Sequence, residues 1–327
     1  MARLQRTLAL TLAVPCSIAG LGGCSDDGGT GRAASTTRAA PVPPTSTPSP
    51  PNSATSVPPL QLKSKGPVGG EGSRLTWPTL ATVGVPRGKR LRSSGPITVR
   101  KDGAVIDGLR VSTEINVDAD NVTIRNTRLV GAGQWGIIQR EGRSGLRVEN
   151  SEISGDGRTK VQYGIVNHGG MLTARRLHVH TVSNGINTDH GLIEDSVIRN
   201  LKEFPSDHVT AVQSNSGPAS GLKLVVRNNV LLNPVSQTSA LSIYQDFGRA
   251  HDVTVTGNLL GGGGYALYGG KGKFGTPTNI KIMRNVFSRE HFKKGGSFGP
   301  VTAFDPSGSG NVWKDNVWAE TGKPVLP

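Results

Sequence analysis

The sequence predicts an all-β fold, a single-stranded parallel β-helix of about nine to ten rungs occupying residues 76–327. Three observations predict it. A short pattern of alternating aliphatics, a polar kink and another aliphatic recurs nine times, anchored at positions 109, 127, 151, 177, 196, 229, 258, 285 and 316. The copies superpose into continuous aliphatic columns, which is how a solenoid buries its interior. The chain also carries 45 Gly and only 15 aromatics, as expected of a narrow coil with many corners and a core of small branched side chains.

The elements follow in order. Residues 1–23 read as an export signal: Arg3 and Arg6 are followed by a mostly apolar run from Leu8 to Ala19, too short to span a bilayer. Residues 24–75 begin at Cys24 and run into a Pro-, Ser- and Thr-rich stretch without aromatics, the composition of an unfolded stalk. Trp77 is the first aromatic after the leader and marks where folding begins. Trp77 to Ile97 contains Pro78, Gly84, Pro86 and Gly88, so it is expected to cap the N-terminal end as loop and strand rather than helix.

The repeat is clear in Val122–Leu129, Leu146–Ile153, Leu224–Leu231, Val253–Leu260 and Ile280–Phe287. One inward column is expected to run Ile106, Ile124, Val148, Ala174, Ile193, Val226, Val255, Ile282, Trp313. A second runs Val111, Leu129, Ile153, Val179, Ile198, Leu231, Leu260, Phe287, Trp318, and a third from Ala104 through Val122, Leu146, Leu172 and Gly191 to Asn311. At ~4.8 Å between stacked strands, nine rungs give a rod of roughly 45 Å. Asn229, Asn258, Asn285 and Asn316 share one position and predict an amide ladder. Asp107, Arg125, Glu149, Arg175, Glu194 and Arg227 alternate in sign, so neighbouring rungs attract in register. Trp313 and Trp318 are expected to plug the C-terminal end.

After the kink each copy carries a further strand, at Gly136-Ile137, Gly164-Ile165, Gly185-Ile186, Ala211-Val212, Ala240-Leu241, Ala266-Leu267 and Ala303-Phe304. Its outward column is expected to be Ile138, Val166, Asn187, Gln213, Ser242, Tyr268 and Asp305, with the Gly and Ala residues forming a shallow floor. Small residues flanked by Asn, Gln, Asp and Tyr suit a sugar chain, which needs hydrogen bonds and ring stacking. A solvated polar sheet face is the plainer account of the same residues.

The charge is +14, or +12 once Arg3 and Arg6 leave with the signal, which favours an anionic partner. The main basic cluster, expected to be local and to lie beside the polar sheet face, is Lys271, Lys273, Lys281, Arg284, Arg289, His291, Lys293 and Lys294. Nucleic acid is not expected, because no groove-entering motif or stacking array accompanies the charge. Two Cys exclude a disulfide framework and a four-Cys zinc site.

Leu21-Gly22-Gly23-Cys24 resembles the lipobox of bacterial lipoproteins. That resemblance implies lipidation at Cys24, attachment to the membrane through the lipid anchor only, and display on the extracellular face of the cell. The segments Trp77-Pro78, Val83–Pro86, Asn121–Asn126, Asn184-Gly185-Ile186, Gly264–Tyr268 and Asn311–Trp318 resemble the pectate-lyase-like right-handed parallel β-helix superfamily. More closely, the chain looks like secreted single-domain β-helix proteins of actinobacteria. These often carry His-x-Asp-Gly-Ile-Gln; here His208 and Gln213 match, while Thr210 and Ala211 replace the acid and the Gly. The resemblance implies carbohydrate binding or cleavage.

A uronate lyase needs a base near the C5 proton and a partner for the carboxylate. The candidate catalytic residues are His208, Gln213, Asp189 and Tyr244, and the candidate substrate-binding residues are Asn187, His190, Asp207, Tyr268, Lys271 and Lys273. A hydrolase instead needs two carboxylates; Asp207 is placed to pair with Asp189 only if the loops meet. No dense Asp cluster for Ca²⁺ stands out, so no metal or other cofactor is expected. His178 and His180 flank inward Val179 and share an outward face, which opens a surface metal pair; single surface histidines are the plainer reading. The expected partner is an anionic polysaccharide or cell-wall polymer, bound by a monomer. Non-catalytic binding and a structural surface role are the alternatives to cleavage.

Overall fold

The computed structural model describes residues 76–327. The expected signal, Cys24 and the stalk lie outside the described residues.

Among the described residues, twenty-eight short strands form three all-parallel sheets of nine, ten and nine strands, a right-handed parallel β-helix. Each rung visits the sheets in the same order. Val105–Asp107 opens sheet I, Leu109–Thr113 follows in sheet II and Ile115–Val117 in sheet III, and the path repeats to Val317–Trp318. Arg92–Ser94 and Ile97–Val99 add a partial first rung to sheets II and III.

The aliphatic columns stand in the expected register. In sheet I, Ile106 pairs with Ile124, Ile124 with Val148, and so on through Ile282 with Trp313. In sheet II, Val111 pairs with Leu129 and the series runs unbroken to Phe287 with Trp318. These side chains form one continuous buried core. At the far end Trp313 lies 6.0 Å and Trp318 6.3 Å from Phe287, and the Trp313 indole donates to the Val325 carbonyl, closing the rod.

The corner between sheets I and II explains the polar kink. Asn126, Asn150, Arg176, Asp195, Asn228, Arg284 and Asp315 all adopt φ between 47° and 55° there, with Gly108 and Gly257 completing the set. The next residue turns its side chain inward. Asn229, Asn258, Asn285 and Asn316 form the ladder, each side-chain oxygen accepting the backbone amide of the rung before at 2.9–3.0 Å. Ser196 continues it, its amide donating to Asn229. The alternating charges are also in register, and Glu194 sits between Arg175 at 2.9 Å and Arg227 at 2.6 Å.

The N-terminal segment departs from the expectation. Residues 77–84 do not sit on the end of the rod; they cross the outward face of sheet II. The Trp77 indole donates to the Gly257 carbonyl and the Gly84 amide to the Arg176 carbonyl. Val83 belongs to a buried cluster with Val197, Val230, Leu232, Leu259 and Val286, against which Trp77 also packs. Sheet II carries aliphatics on both faces over these rungs, and the outer set needs a cover.

Candidate functional site

Sheet III carries most of the residues expected to act. Its inward aliphatic column runs Ile115, Ile137, Ile165, Ile186, Val212, Leu241 and Leu267. Its outward column runs Ile138, Val166, Asn187, Gln213, Ser242 and Tyr268 in consecutive rungs, as read from the sequence.

The last rung is a correction. Leu267 pairs with Val301 and Tyr268 with Thr302, so the strand is Gly299–Thr302, and neither Phe304 nor Asp305 takes the expected place. Phe304 instead packs 5.4 Å from Trp313 at the closing end. The Asp305 carboxylate accepts from the Ser307 amide and hydroxyl, capping a local turn. Both Val301 and Phe304 satisfy an apolar template, and the choice between them falls to the end plug.

The small residues are a second correction. They are not the floor of an outer groove; they face the core. A Cβ on Gly136 would stand 2.9 Å from Leu129, and one on Gly185 2.7 Å from Ile198 and 2.3 Å from the Ala211 carbonyl. Ala211, Ala240 and Ala266 belong to the interior core. The strand bends inward at this column, and only a hydrogen or a methyl fits.

The outer face over the later rungs is aromatic. Tyr244 and Tyr268 lie 5.7 Å apart, Tyr268 and Tyr265 5.7 Å, and Tyr265 and Phe298 5.8 Å, a run of four rings. Phe298 is 66% exposed. Phe247 and Phe274 are 79% and 46% exposed on the turns that follow this face, and the Lys273 ammonium stands 5.2 Å from the Phe274 ring. Tyr265 and Phe298 escaped the sequence reading. The available signal was Tyr265-Ala-Leu-Tyr268, two aromatics bracketing one inward pair.

The remaining candidates divide by what they already hold. Burial pushes the Tyr244 phenol up to about 12, with the Ser242 and Thr210 hydroxyls pulling the other way, so it stays protonated at neutral pH. Burial raises Tyr268 as well. The Gln213 side chain donates to Asn215 at 3.3 Å, and Asn187, 8% exposed, stands beside it on the preceding rung. The Asp189 carboxylate accepts four hydrogen bonds, from the Ser214 and Ser216 hydroxyls and the Asn215 and Ser216 amides. It therefore fixes the next turn. His190 uses both ring nitrogens, one with the Gly169 carbonyl at 2.7 Å and one with the Ala219 amide at 3.5 Å.

Asp207 is buried and paired with Lys160, and it accepts from the Ser183 hydroxyl and the Phe204 amide. Burial opposes its ionisation, but the Lys160 ammonium and these donors outweigh that and hold the carboxyl below its usual range. Asp207 and Asp189 do not pair. Asp207 precedes the strand Thr210–Ser214 and Asp189 meets its far end, so the two carboxylates take opposite ends of one strand. His208 is exposed and, among the described residues, makes no side-chain hydrogen bond.

Lys271 and Lys273 sit on the loop after the Tyr265–Gly269 strand. Gln245 anchors that loop, donating to the Gly270 and Gly275 carbonyls and accepting from the Phe274 amide. The wider basic cluster is not one patch, a third correction. Lys281 lies in sheet I, and Arg284 at the corner after it. Arg289 lies past sheet II, its guanidinium 3.9 Å from the Trp318 ring. One rung takes about 26 residues, so residues 271–294 nearly encircle the coil. A cleft of about 620 Å³ on sheet I, lined by Lys223, Val225, Asp252, Thr254 and Lys281, holds none of the candidate residues.

Fold and site together define the class: a parallel β-helix with an aromatic strip on the outward face of its third sheet. No family model, curated protein or solved structure matches the chain.

Proposed function

We propose that this domain binds an extended anionic polysaccharide along the outward face of sheet III, without cleaving it. The observation that carries the reading is the run Tyr244, Tyr268, Tyr265, Phe298, four rings in successive contact at 5.7–5.8 Å. Aromatic rings stack on the apolar faces of pyranoses. Tyr265 and Tyr268 share one strand, so the four rings span three rungs, and at the ~4.8 Å between stacked strands successive sugars of an extended chain would meet successive rungs. Asn187 and Gln213 supply amides on the same outward column. Lys271 and Lys273, on a loop anchored by Gln245, supply positive charge for a carboxylate.

Binding is favoured over β-elimination by the state of Tyr244 and Asp189, which leaves the exposed His208 as the one candidate base the product assay must exclude. A phenol raised to about 12 is a hydrogen-bond donor at neutral pH and a poor base. The Asp189 carboxylate is saturated by four turn donors. The likeness of His208 and Gln213 to the superfamily motif supports a place among pectate-lyase-like β-helices. The lipobox pattern at Leu21–Cys24 supports display on the cell surface through a lipid anchor.

Gel electrophoresis of the full chain through a panel of embedded uronate polymers tests the reading. Retardation by at least one polymer, with no unsaturated product in the ultraviolet, is expected. Migration unchanged in every polymer overturns binding, and product formation overturns the non-catalytic reading.

A further inference from the structure

We propose that Glu152, His178 and His180 form a binding site for a divalent transition-metal ion of the zinc class on the outward face of sheet II. The two histidines alternate with inward Val179 on one strand, so both rings stand on the same face, 4.3 Å apart. Glu152 is in register with His178 on the preceding rung. One donor atom from each of the three residues lies within 4.8 Å of the other two. Ligands bonded at ~2.0–2.1 Å to a tetrahedral ion stand about 3.3–3.5 Å apart. Glu152 Oε1 and His180 Nε2 are already 3.4 Å apart, and a rotation of the His178 ring supplies the third contact.

The neighbours orient these groups as metal ligands are usually oriented. His180 Nδ1 bonds the Thr181 hydroxyl at 2.9 Å, which leaves Nε2 facing the carboxylate. The second Glu152 oxygen is held by the Arg128 guanidinium at 2.8 and 3.0 Å, which leaves Oε1 for an ion. His178 Nε2 is shielded from solvent and, among the described residues, has no hydrogen-bond partner, an unmet need that a metal fills.

Gly84 crosses directly above; a Cβ there would stand 3.3 Å from that of His178. An ion would therefore fasten two rungs under the N-terminal segment. Two imidazoles and one carboxylate suit zinc, copper or nickel, whereas Ca²⁺ and Mg²⁺ take oxygen ligands. Arg199, the other cation near His178, is engaged by Glu290 at 3.0 Å. The site lies on sheet II and is independent of the polysaccharide reading, which concerns sheet III.

Calorimetric titration of the chelator-stripped full chain with Zn²⁺ tests it, with Co²⁺ absorption as a second readout. One equivalent is expected to bind, with the visible bands of four- or five-coordinate cobalt and a rise in melting temperature. His178→Ala and His180→Ala should each weaken binding at least about tenfold, and Thr181→Val less. His251→Ala, remote from the site, should leave binding unchanged. Circular dichroism separates ligand loss from misfolding, and Glu152→Gln tests the third ligand if either His variant fails to fold. No saturable binding, or equal affinity in folded variants lacking these ligands, overturns the proposal.

Discussion

The side-chain oxygen of Asn285 accepts two hydrogen bonds from Asn258, at 3.0 Å from its backbone amide and 3.0 Å from its side-chain amide. Asn258 in turn accepts both equivalents from Asn229 and donates to the Val226 and Thr256 carbonyls. One buried side chain thus bonds the Asn229 amide and two corner carbonyls, although the Thr256 carbonyl also accepts from the Asn228 amide. Asn258→Ala strips their partners and should destabilise the fold by about 2–4 kcal/mol. Urea denaturation measures it, and a loss below about 1 kcal/mol would show that water enters the corner instead.

The inward column of small residues predicts a steep size limit. Gly185 has no positive φ to protect, so a methyl there acts only through contact with the Ala211 carbonyl and Ile198. Gly185→Ala should cost about 1–3 kcal/mol. Gly142, at φ 76° with open space around its Cβ position, reports backbone strain alone. Its alanine variant should cost about 1 kcal/mol. Thermal melts of both variants check the order, and equal losses would refute the packing argument.

Stability should fall with acid in two steps when metal is excluded by a chelator. An unfolded histidine takes a proton below about 6.5, whereas burial delays His178 to about 4. Between these values the unfolded chain binds more protons, so the His178 contribution to stability drops as pH falls from 6.5 to 4 and then levels off. With allowance for partial exposure the step is about 2–3 kcal/mol. Glu152 acts in the lower window: the stability it contributes above 4.5 is lost as pH falls towards 2. His178→Asn should shrink the upper step, leaving the share of His291, which burial also lowers, and keep the lower one in urea midpoints. An unchanged upper slope would assign the step to another group.

The aromatic strip predicts graded losses of glycan retention. Tyr268→Ala and Phe298→Ala should each weaken binding about three- to tenfold, the size of one ring contact. Tyr268→Phe should retain most of it. Retardation constants from affinity gels give the numbers, and a Tyr268→Phe loss as large as that of Tyr268→Ala would assign the role to the hydroxyl.

A solenoid is unusually readable because its contacts repeat at one sequence offset. That is why the columns through Ile124 and Leu129, the Asn ladder and the charge series from Asp107 to Arg227 could be written from the chain alone. The same property misled at residues 271–294: a run of basic residues is a patch on a helix or loop but a girdle on a coil. The His178–His180 pair was also legible, since strand alternation alone puts both on one face. Glu152 was not, because its nearness depends on the register of the neighbouring rung.

The sequence by itself determined the path of the coil, since each rung must bury one aliphatic at each inward position and turn at a residue tolerant of positive φ. Only the tertiary structure decided where the chain leaves that repeat. Residues 77–84 cross sheet II because it has an outer apolar face to cover, Gly299–Thr302 replaces the expected last strand because Phe304 belongs to the end plug, and Asp189 and Asp207 are drawn to opposite ends of a strand by local donors. These choices rest on contacts between residues far apart in sequence, where one side chain competes with another for the same space or partner.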